Sequence, residues 1–590
     1  MGHRARHPRR PGHRADLPLR PQRARVGGGA PGAHAAGPRA HLRPHGGQHL
    51  PRRRPSRSAV PHAPRGRVGR LPDPDPGPLP LQRRHPPRRR RHRCTRLQRR
   101  PQDPRRPQGP PVIVDGTVGV LGEDQLEAVH ERAMTILEDI GVEIRQEAAC
   151  RLLAAEGQKV EDSRVRLDRH FVEAMVARAP ERFTLRARNP DRSVTLGGGS
   201  LVHTPSGGAP FCSDLERGRR DGTLADHVEL VKLAHAAPVL RCQQSGVVEA
   251  NDLDDRSRHL DMDYTVLRWS DKPYICYGGS GSRAADAVDL AAVIAGGREA
   301  LERDAWIVGV VNSNSPLVWD RAMVDALTVW AEANQAIAIT PFLLVGATAP
   351  LGLAGGLAQQ VAEALAGLAL AQLIRPGVPC VFGSFLSAVD MRSGGPAFGM
   401  PGGVLGTLAG GQIARRYGVP YRGGGGLCSG MTVDAQSATE SLNMLWATYL
   451  SGCDLVLHAA GWLEAGLTTS YEKLALDVEV LSMFEAMREG IITDEEHFAI
   501  DTIREEGPGG MFLAAPHTLE HFRDWVWMSP LFRSDAHANW VKRGSPDAGQ
   551  VATQAWHRLL DGYEDPGIDA GTDAELVACV ERARRRIGAA

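Results

Sequence analysis

His458, Gly461, Trp462 and Glu464 stand at and just beyond the end of the apolar run 455–459, and Tyr471, Glu472, Lys473 and Asp477 open the helix-forming stretch that follows. A histidine and a carboxylate at a strand end can exchange protons with a ligand, so His458 and Glu464 are catalytic candidates. Trp462 and Tyr471 offer aromatic faces, which attract quaternary ammonium groups. Packing is the competing reading of the two aromatics, and a structural role that of the histidine. Asp390 and Arg392 follow another apolar run, as a surface ion pair of little energetic weight or as a polar clamp on a ligand. Arg422 ends a further run and precedes four glycines, residues 423–426, then Leu427 and Cys428. Consecutive glycines cost chain entropy, which implies a large flat body approaching the backbone around Gly424, Gly425, Gly426 and Leu427. Cys428 is a nucleophile candidate with no histidine near it in sequence.

Two other patterns carry less. Gly279, Gly281 and Ala284 fit the dinucleotide pattern G-x-G-x-x-A between a strand and a helix. The next strand, however, ends in Val311, Asn312 and Ser313, where a ribose-binding carboxylate belongs. His517, Glu520 and His521 fit H-x-x-E-H, which sets two histidines one helical turn apart. No third ligand follows at a recognisable spacing. The expectation is therefore no metal site, with these histidines capping, packing or serving a substrate lid.

The elements that must position these residues show a repeating order. From about residue 222, apolar runs at 240–248, 274–278, 306–311, 340–345, 378–383, 419–422 and 455–459 alternate with helix-forming stretches. Seven strand–helix units are visible, and the eighth strand lies at 200–204 or beyond 491. Such repeats imply parallel strands joined by crossover helices. A doubly wound sheet and a closed barrel both satisfy this, and regular spacing with no switch in element order favours the barrel. Ahead of it, Leu126, Val129, Ala133, Ile136, Leu137 and Ile140 share one helical face that ends at Gly141. A second helix over 168–178 stops before Pro180. The predicted class is α/β, a (β/α)8 TIM-barrel-like fold with an N-terminal helical module (111–200), the barrel (201–500) and a C-terminal helical extension (501–590).

Residues 1–110 are a different polymer. They hold 29 Arg and four Asp with no Lys or Glu, a charge of +25, while the remaining residues carry −22. They also hold 22 of the 42 prolines and no Phe, Tyr or Trp. Proline removes donors, the arginines repel, and no apolar period recurs, so this segment is expected to stay disordered. A basic nucleic-acid tail normally mixes Lys and aromatics, and a targeting peptide carries an apolar or amphipathic stretch. A start site placed too far upstream in a GC-rich gene accounts better for an Arg, Pro, His, Gly and Ala mixture. The acidic body argues against nucleic acid as a partner. Nine cysteines without a C-x-x-C pair point to a reducing, cytoplasmic compartment. The longest apolar stretch, 351–374, is interrupted by Gln359, Gln360, Glu363 and Gln372, so it reads as a buried helix and not a membrane span.

Taken in order, several of these segments resemble the trimethylamine methyltransferase family. They are Ile140-Gly141-Val142, the stretch from Asp390 to Gly394, the glycine run before Leu427, and Asp434-Ala435-Gln436. The array His458, Gly461, Glu464, Glu472, Lys473 and Asp477 follows, then 509–513 with His517 and Thr518. The resemblance spans nearly all of 112–590. It implies a TIM barrel whose open end docks a cognate corrinoid protein, and a methyl group passing from a methylated amine to Co(I) of that partner's cobalamin. This chain itself would bind no cofactor tightly. Founding members carry pyrrolysine, and the corresponding place here is Leu427, with Ser429, Gly430 and Met431 in place of the usual Asp-Ser-Lys. The resemblance thus lies with the non-pyrrolysine branch, which is similar to glycine betaine methyltransferases, and implies a quaternary amine as substrate. For such a substrate we assign Trp462 and Glu464 to the cation side and Arg392 and His458 to the carboxylate side, and we expect the glycine loop to face the corrinoid. A homo-oligomer is expected. A lyase or hydrolase using His458 and Glu464, or nucleic-acid binding through the arginine-rich segment, are the alternatives.

Overall fold

The computed structural model describes residues 117–588, so the expectations for residues 1–110 lie outside the described residues. Eight parallel strands form the centre: β1 (Val202–Pro205), β2 (Gln243–Gln244), β3 (Tyr274–Cys276), β4 (Ile307–Val311), β5 (Ala336–Ile339), β6 (Cys380–Gly383), β7 (Tyr421–Gly423) and β8 (Leu455–Ala460). From β2 onward each pairs with the next, and β8 pairs with β1. A bridge from His203 on β1 to Leu240, just before β2, closes the ring. The expected (β/α)8 barrel is present, and its eighth strand is the one ahead of residue 205.

Alternation along the strands builds two apolar layers. Val202, Cys242, Ile275, Val308, Val310, Ala338, Val381 and Leu455 fill the barrel, while their neighbours pack outward against the helices. The lower end is plugged by the hairpin Phe183–Leu185 and Val194–Leu196, whose Leu185 and Leu196 enter the interior cluster. Asp454 ties this plug to the barrel. Gly197, Gly199 and Ser200 donate their amides to one of its oxygens at 3.1, 2.7 and 3.0 Å, and the Tyr421 amide donates to the other at 2.8 Å.

Two expectations need correction. The fifth barrel strand is Ala336–Ile339, not the run at 340–345. Pro341 lacks a ladder donor and breaks the strand, and Phe342–Val345 pairs instead with Phe385–Val389 in a small sheet above the barrel. The module before residue 200 is not helical throughout. It includes the strands Val142–Ile144, Lys159–Glu161 and Arg164–Arg166, each of three residues and too short to show a period-2 pattern. Its first helix, Glu123–Thr135, runs into a wider π turn, Ile136–Ile140, and stops at Gly141 with φ +77°. A Cβ at Gly141 would lie 2.6 Å from the Val165 carbonyl oxygen, so glycine is required there.

Leu353–Ile374 is long and apolar enough to cross a membrane, but it is almost wholly buried in the protein. The C-terminal helices fold back on the barrel: Trp556 donates its indole N–H to Glu472 at 3.0 Å and Arg584 pairs with Asp261 at 2.7 Å. Between them, residues 491–541 leave Ile491, Met511, Leu513, Trp527 and Met528 exposed.

Buried neutral histidines make this fold acid-sensitive. Burial holds His203, on β1, and His227 at about 4 in place of the ordinary 6.5. The unfolded chain therefore binds more protons than the folded one between pH 6.5 and 4, and stability present above pH 6.5 is lost as pH falls through that window. Each histidine should cost about 2 kcal/mol by pH 5. Urea unfolding at pH 7.5 and 5 measures this, and equal midpoints would contradict it.

Candidate active site

Segments following the strands meet at the upper, C-terminal end of the barrel, where barrel enzymes build their sites. Arg422 lies in β7, between Tyr421, which packs outward, and Gly423. Its side chain is only 1% exposed and faces no carboxylate among the described residues. The guanidinium donates to the Ser384 carbonyl at 3.4 Å and lies 4.8 Å from the centre of the Phe385 ring, while its Nε has no partner. Burial holds its ionisation below the ordinary arginine value. An isolated ion in a dry interior costs several kcal/mol unless a counter-ion arrives.

His458 stands beside it on β8. Here the pairing with β1 shifts: Val456 opposes His203 and Ala460 opposes Pro205, and His458 takes the left-handed φ of +58°. Leu457 points into the barrel, Ala459 outward, and the inverted backbone turns His458 toward the mouth as well. Its ring lies 4.5 Å from Trp462 and 6.1 Å from Phe385. The buried Nδ1 has no partner among the described residues. Burial, then the charge of Arg422, keeps this imidazole well below its usual value and hence neutral at pH 7.

An aromatic wall completes the mouth. Phe385 packs 4.7 Å from Phe342 and 5.5 Å from Phe398, and Phe398 meets Trp462 edge-on at 5.9 Å. Leu427, Cys428, Met444 and Leu463 fill in behind. The Trp462 indole N–H is buried and, among the described residues, unpaired. Two sets of unsatisfied polar groups thus border an apolar aromatic surface, an arrangement suited to a ligand with an anionic end and a bulky cationic end.

The body against the glycine run is β8 itself. A Cβ on Gly425 would lie 2.4 Å from the His458 carbonyl oxygen, and the Gly426 amide donates to that oxygen at 2.9 Å. Gly424 accepts from Thr448 at 2.6 Å, and Leu427 is buried in the aromatic cluster, so these residues support the strained backbone of His458 from behind. The buried Lys473–Asp477 pair does so from the other side, Asp477 accepting from the Gly461 amide at 2.9 Å.

The remaining candidates are engaged elsewhere. Trp462–Leu463 forms a hairpin with Thr468–Ser470 that carries Glu464 to the rim, where Arg219 at 2.8 Å and Thr468 at 2.5 Å hold it. Tyr471 donates to Glu229 at 2.8 Å and packs at a tilt against Trp556, ring centres 5.0 Å apart. Arg392 is 90% exposed and pairs with its neighbour Asp390 at 2.7 Å. Cys428 donates to the Trp462 carbonyl at 3.0 Å, and burial pushes its thiol up to about 11, which removes it as a nucleophile at neutral pH. His517 and His521 pack on Trp525, with ring centres 5.2 and 3.9 Å from it. Spacing marks Arg422 only as the end of an apolar run and does not single out Phe385. The one available signal was an arginine inside an apolar strand with no acidic residue near it in sequence.

Comparison with known proteins identifies the family. The family model described as Trimethylamine methyltransferase (MTTB) matches residues 88–588. The chain is 40% identical over 469 residues to the glycine betaine methyltransferase of Desulfitobacterium hafniense (strain Y51), covering 80% of this chain and 98% of that one. It is 26% identical over 478 residues to a trimethylamine methyltransferase of D. hafniense (strain DSM 10664 / DCB-2), covering 80% and 95%. A proline betaine:corrinoid methyltransferase of Eubacterium limosum is 29% identical over 429 residues, covering 70% and 86%. With its closed barrel and a mouth built from the strand ends, this methyltransferase belongs to the trimethylamine methyltransferase family.

Proposed function

We propose that the chain transfers a methyl group from a quaternary amine bearing a carboxylate, of the glycine betaine type, to a corrinoid held by a cognate partner protein. The observation that supports it most is Arg422, a buried guanidinium without a counter-ion among the described residues, beside the Phe385, Phe398 and Trp462 rings. A betaine supplies both missing parts. Its carboxylate neutralises Arg422 and accepts from neutral His458, and its ammonium group rests on the aromatic faces. The carboxylate role thus passes from Arg392 to Arg422.

When docked, the corrinoid supplies the Co(I) nucleophile that accepts the methyl group. The chain's own work is to hold the N–CH3 axis toward the open mouth and to keep water out, which Phe342, Phe398 and Leu463 do. The amine leaves uncharged, so no acid is needed. That suits a site in which Glu464 is bound to Arg219 and does not reach His458 as an acid–base partner. Leu215, Leu351, Met391, Met400, Met431 and Leu467 are exposed on the strand-to-helix segments around the mouth. Flexible apolar side chains of this kind suit a partner that docks and leaves. We place the enzyme in the cytoplasm as a homo-oligomer, for which the exposed apolar residues of 491–541 provide a self-association surface.

Mixing the protein with its Co(I) corrinoid partner and following the cobalt spectrum tests this. Glycine betaine should drive methylation at least tenfold faster than trimethylamine, because a tertiary amine has no charge to shed and Leu427 offers no activating adduct. Faster methylation from trimethylamine than from every quaternary amine would sink the proposal.

A further inference from the structure

The unsatisfied polar atoms at the mouth extend beyond β7 and β8. Tyr277, the residue directly after β3, turns its ring into the barrel above Ile275, and its buried hydroxyl has no hydrogen-bond partner among the described residues. In a ring of eight strands β3 lies opposite β7, so Tyr277 and Arg422 stand on facing walls. They are nonetheless near neighbours electrostatically. After burial, Arg422 is the first influence on the Tyr277 phenol, and Tyr277 the first on Arg422. Room for the ring is made by glycine: a Cβ on Gly207 would lie 3.1 Å from it, and one on Gly246 3.4 Å.

We propose that Tyr277 is the second arm of a carboxylate clamp, its O–H donating to one carboxylate oxygen of the substrate while Arg422 binds the other from the opposite wall. This rests on the carboxylate role assigned to Arg422 above. Arg422 and His458, on adjacent strands, neutralise and hold the anion from one side only and let it pivot. Contacts from two walls fix the plane of the carboxylate, and with it the direction in which the quaternary nitrogen points toward Phe385 and Trp462. Tyr277 is thus a specificity-determining residue, reading the carboxylate end where the aromatic wall reads the cation.

Titration calorimetry of the full chain with glycine betaine and with choline, which has the same ammonium group and no carboxylate, tests this on wild type, Tyr277→Phe and Arg422→Met. Tyr277→Phe keeps the ring and removes one hydrogen bond to a charged group, so glycine betaine affinity should fall about tenfold and choline affinity less than twofold. Arg422→Met should lose more of the betaine affinity. If Tyr277→Phe leaves betaine binding unchanged while Arg422→Met abolishes it, the clamp is overturned and the Arg422 reading stands. Equal losses for both ligands in Tyr277→Phe would show a merely structural role and also overturn it. If neither variant affects betaine binding, the carboxylate reading falls and the clamp with it.

Discussion

Arg422→Met should lower kcat/KM for glycine betaine by about 100-fold or more, the worth of a buried charge-assisted contact of 3 kcal/mol or above. The same substitution should make the free protein harder to unfold. Among the described residues Arg422 has no carboxylate partner, one long side-chain hydrogen bond to Ser384, and an Nε with none. Replacing an uncompensated buried charge by an apolar side chain of similar length removes a desolvation cost, and about 1–3 kcal/mol of added stability is expected. Steady-state kinetics and urea denaturation read the two effects separately. A residue that merely braced the barrel would lose stability along with activity. If Arg422→Met is less stable than wild type, or retains betaine turnover, the ligand-binding role is wrong.

At the other end of the barrel the opposite pattern is expected. Asp454→Ala should destabilise the protein by about 4 kcal/mol, because it leaves four buried or half-buried amides without an acceptor. Asp454→Asn keeps one acceptor oxygen and should lose roughly half as much. These amides come from the plug (Gly197, Gly199, Ser200) and from β7 (Tyr421), so the loss falls on the lower closure of the barrel. Betaine affinity of the fraction that remains folded should be unchanged, since the mouth lies at the other end of β7 and β8. A cost below about 1 kcal/mol would show that water replaces the carboxylate there.

These two residues show what spacing in a sequence can and cannot convey. The barrel was legible because each unit repeats the same order of apolar run and helix, and the run at 455–459 placed His458 at a strand end. Strand β5 was not, since Ala336–Ile339 and Phe342–Val345 are both short apolar stretches and only the pairing partner tells them apart. Trp462 was found at the mouth with His458. Glu464 and Tyr471, only a few residues on, were grouped with them although the hairpin at Trp462–Leu463 sends the chain back to the rim. Phe385 and Phe398 meet Trp462 across more than 60 residues of chain, a proximity that no local pattern encodes. Arg422 looks in sequence like any charged residue next to a turn. Its meaning comes from a missing partner, which only three dimensions reveal.

The inverted backbone at His458 also bears on how relatives of this chain are compared. Strict alternation would give the mouth either Leu457 or His458, never both. The β8 pairing shift and the φ of +58° allow consecutive side chains to share one face. Which side of the wall the imidazole occupies is therefore set by the number of residues between Asp454 and Gly461, and by the glycines at 425 and 426 that leave room for the His458 carbonyl. A homologue with histidine in the same alignment column but one residue fewer in that interval would present the ring to the helical layer and have no imidazole in its pocket. Identity at position 458 is thus informative about chemistry only together with the length of its strand and the smallness of the residues behind it.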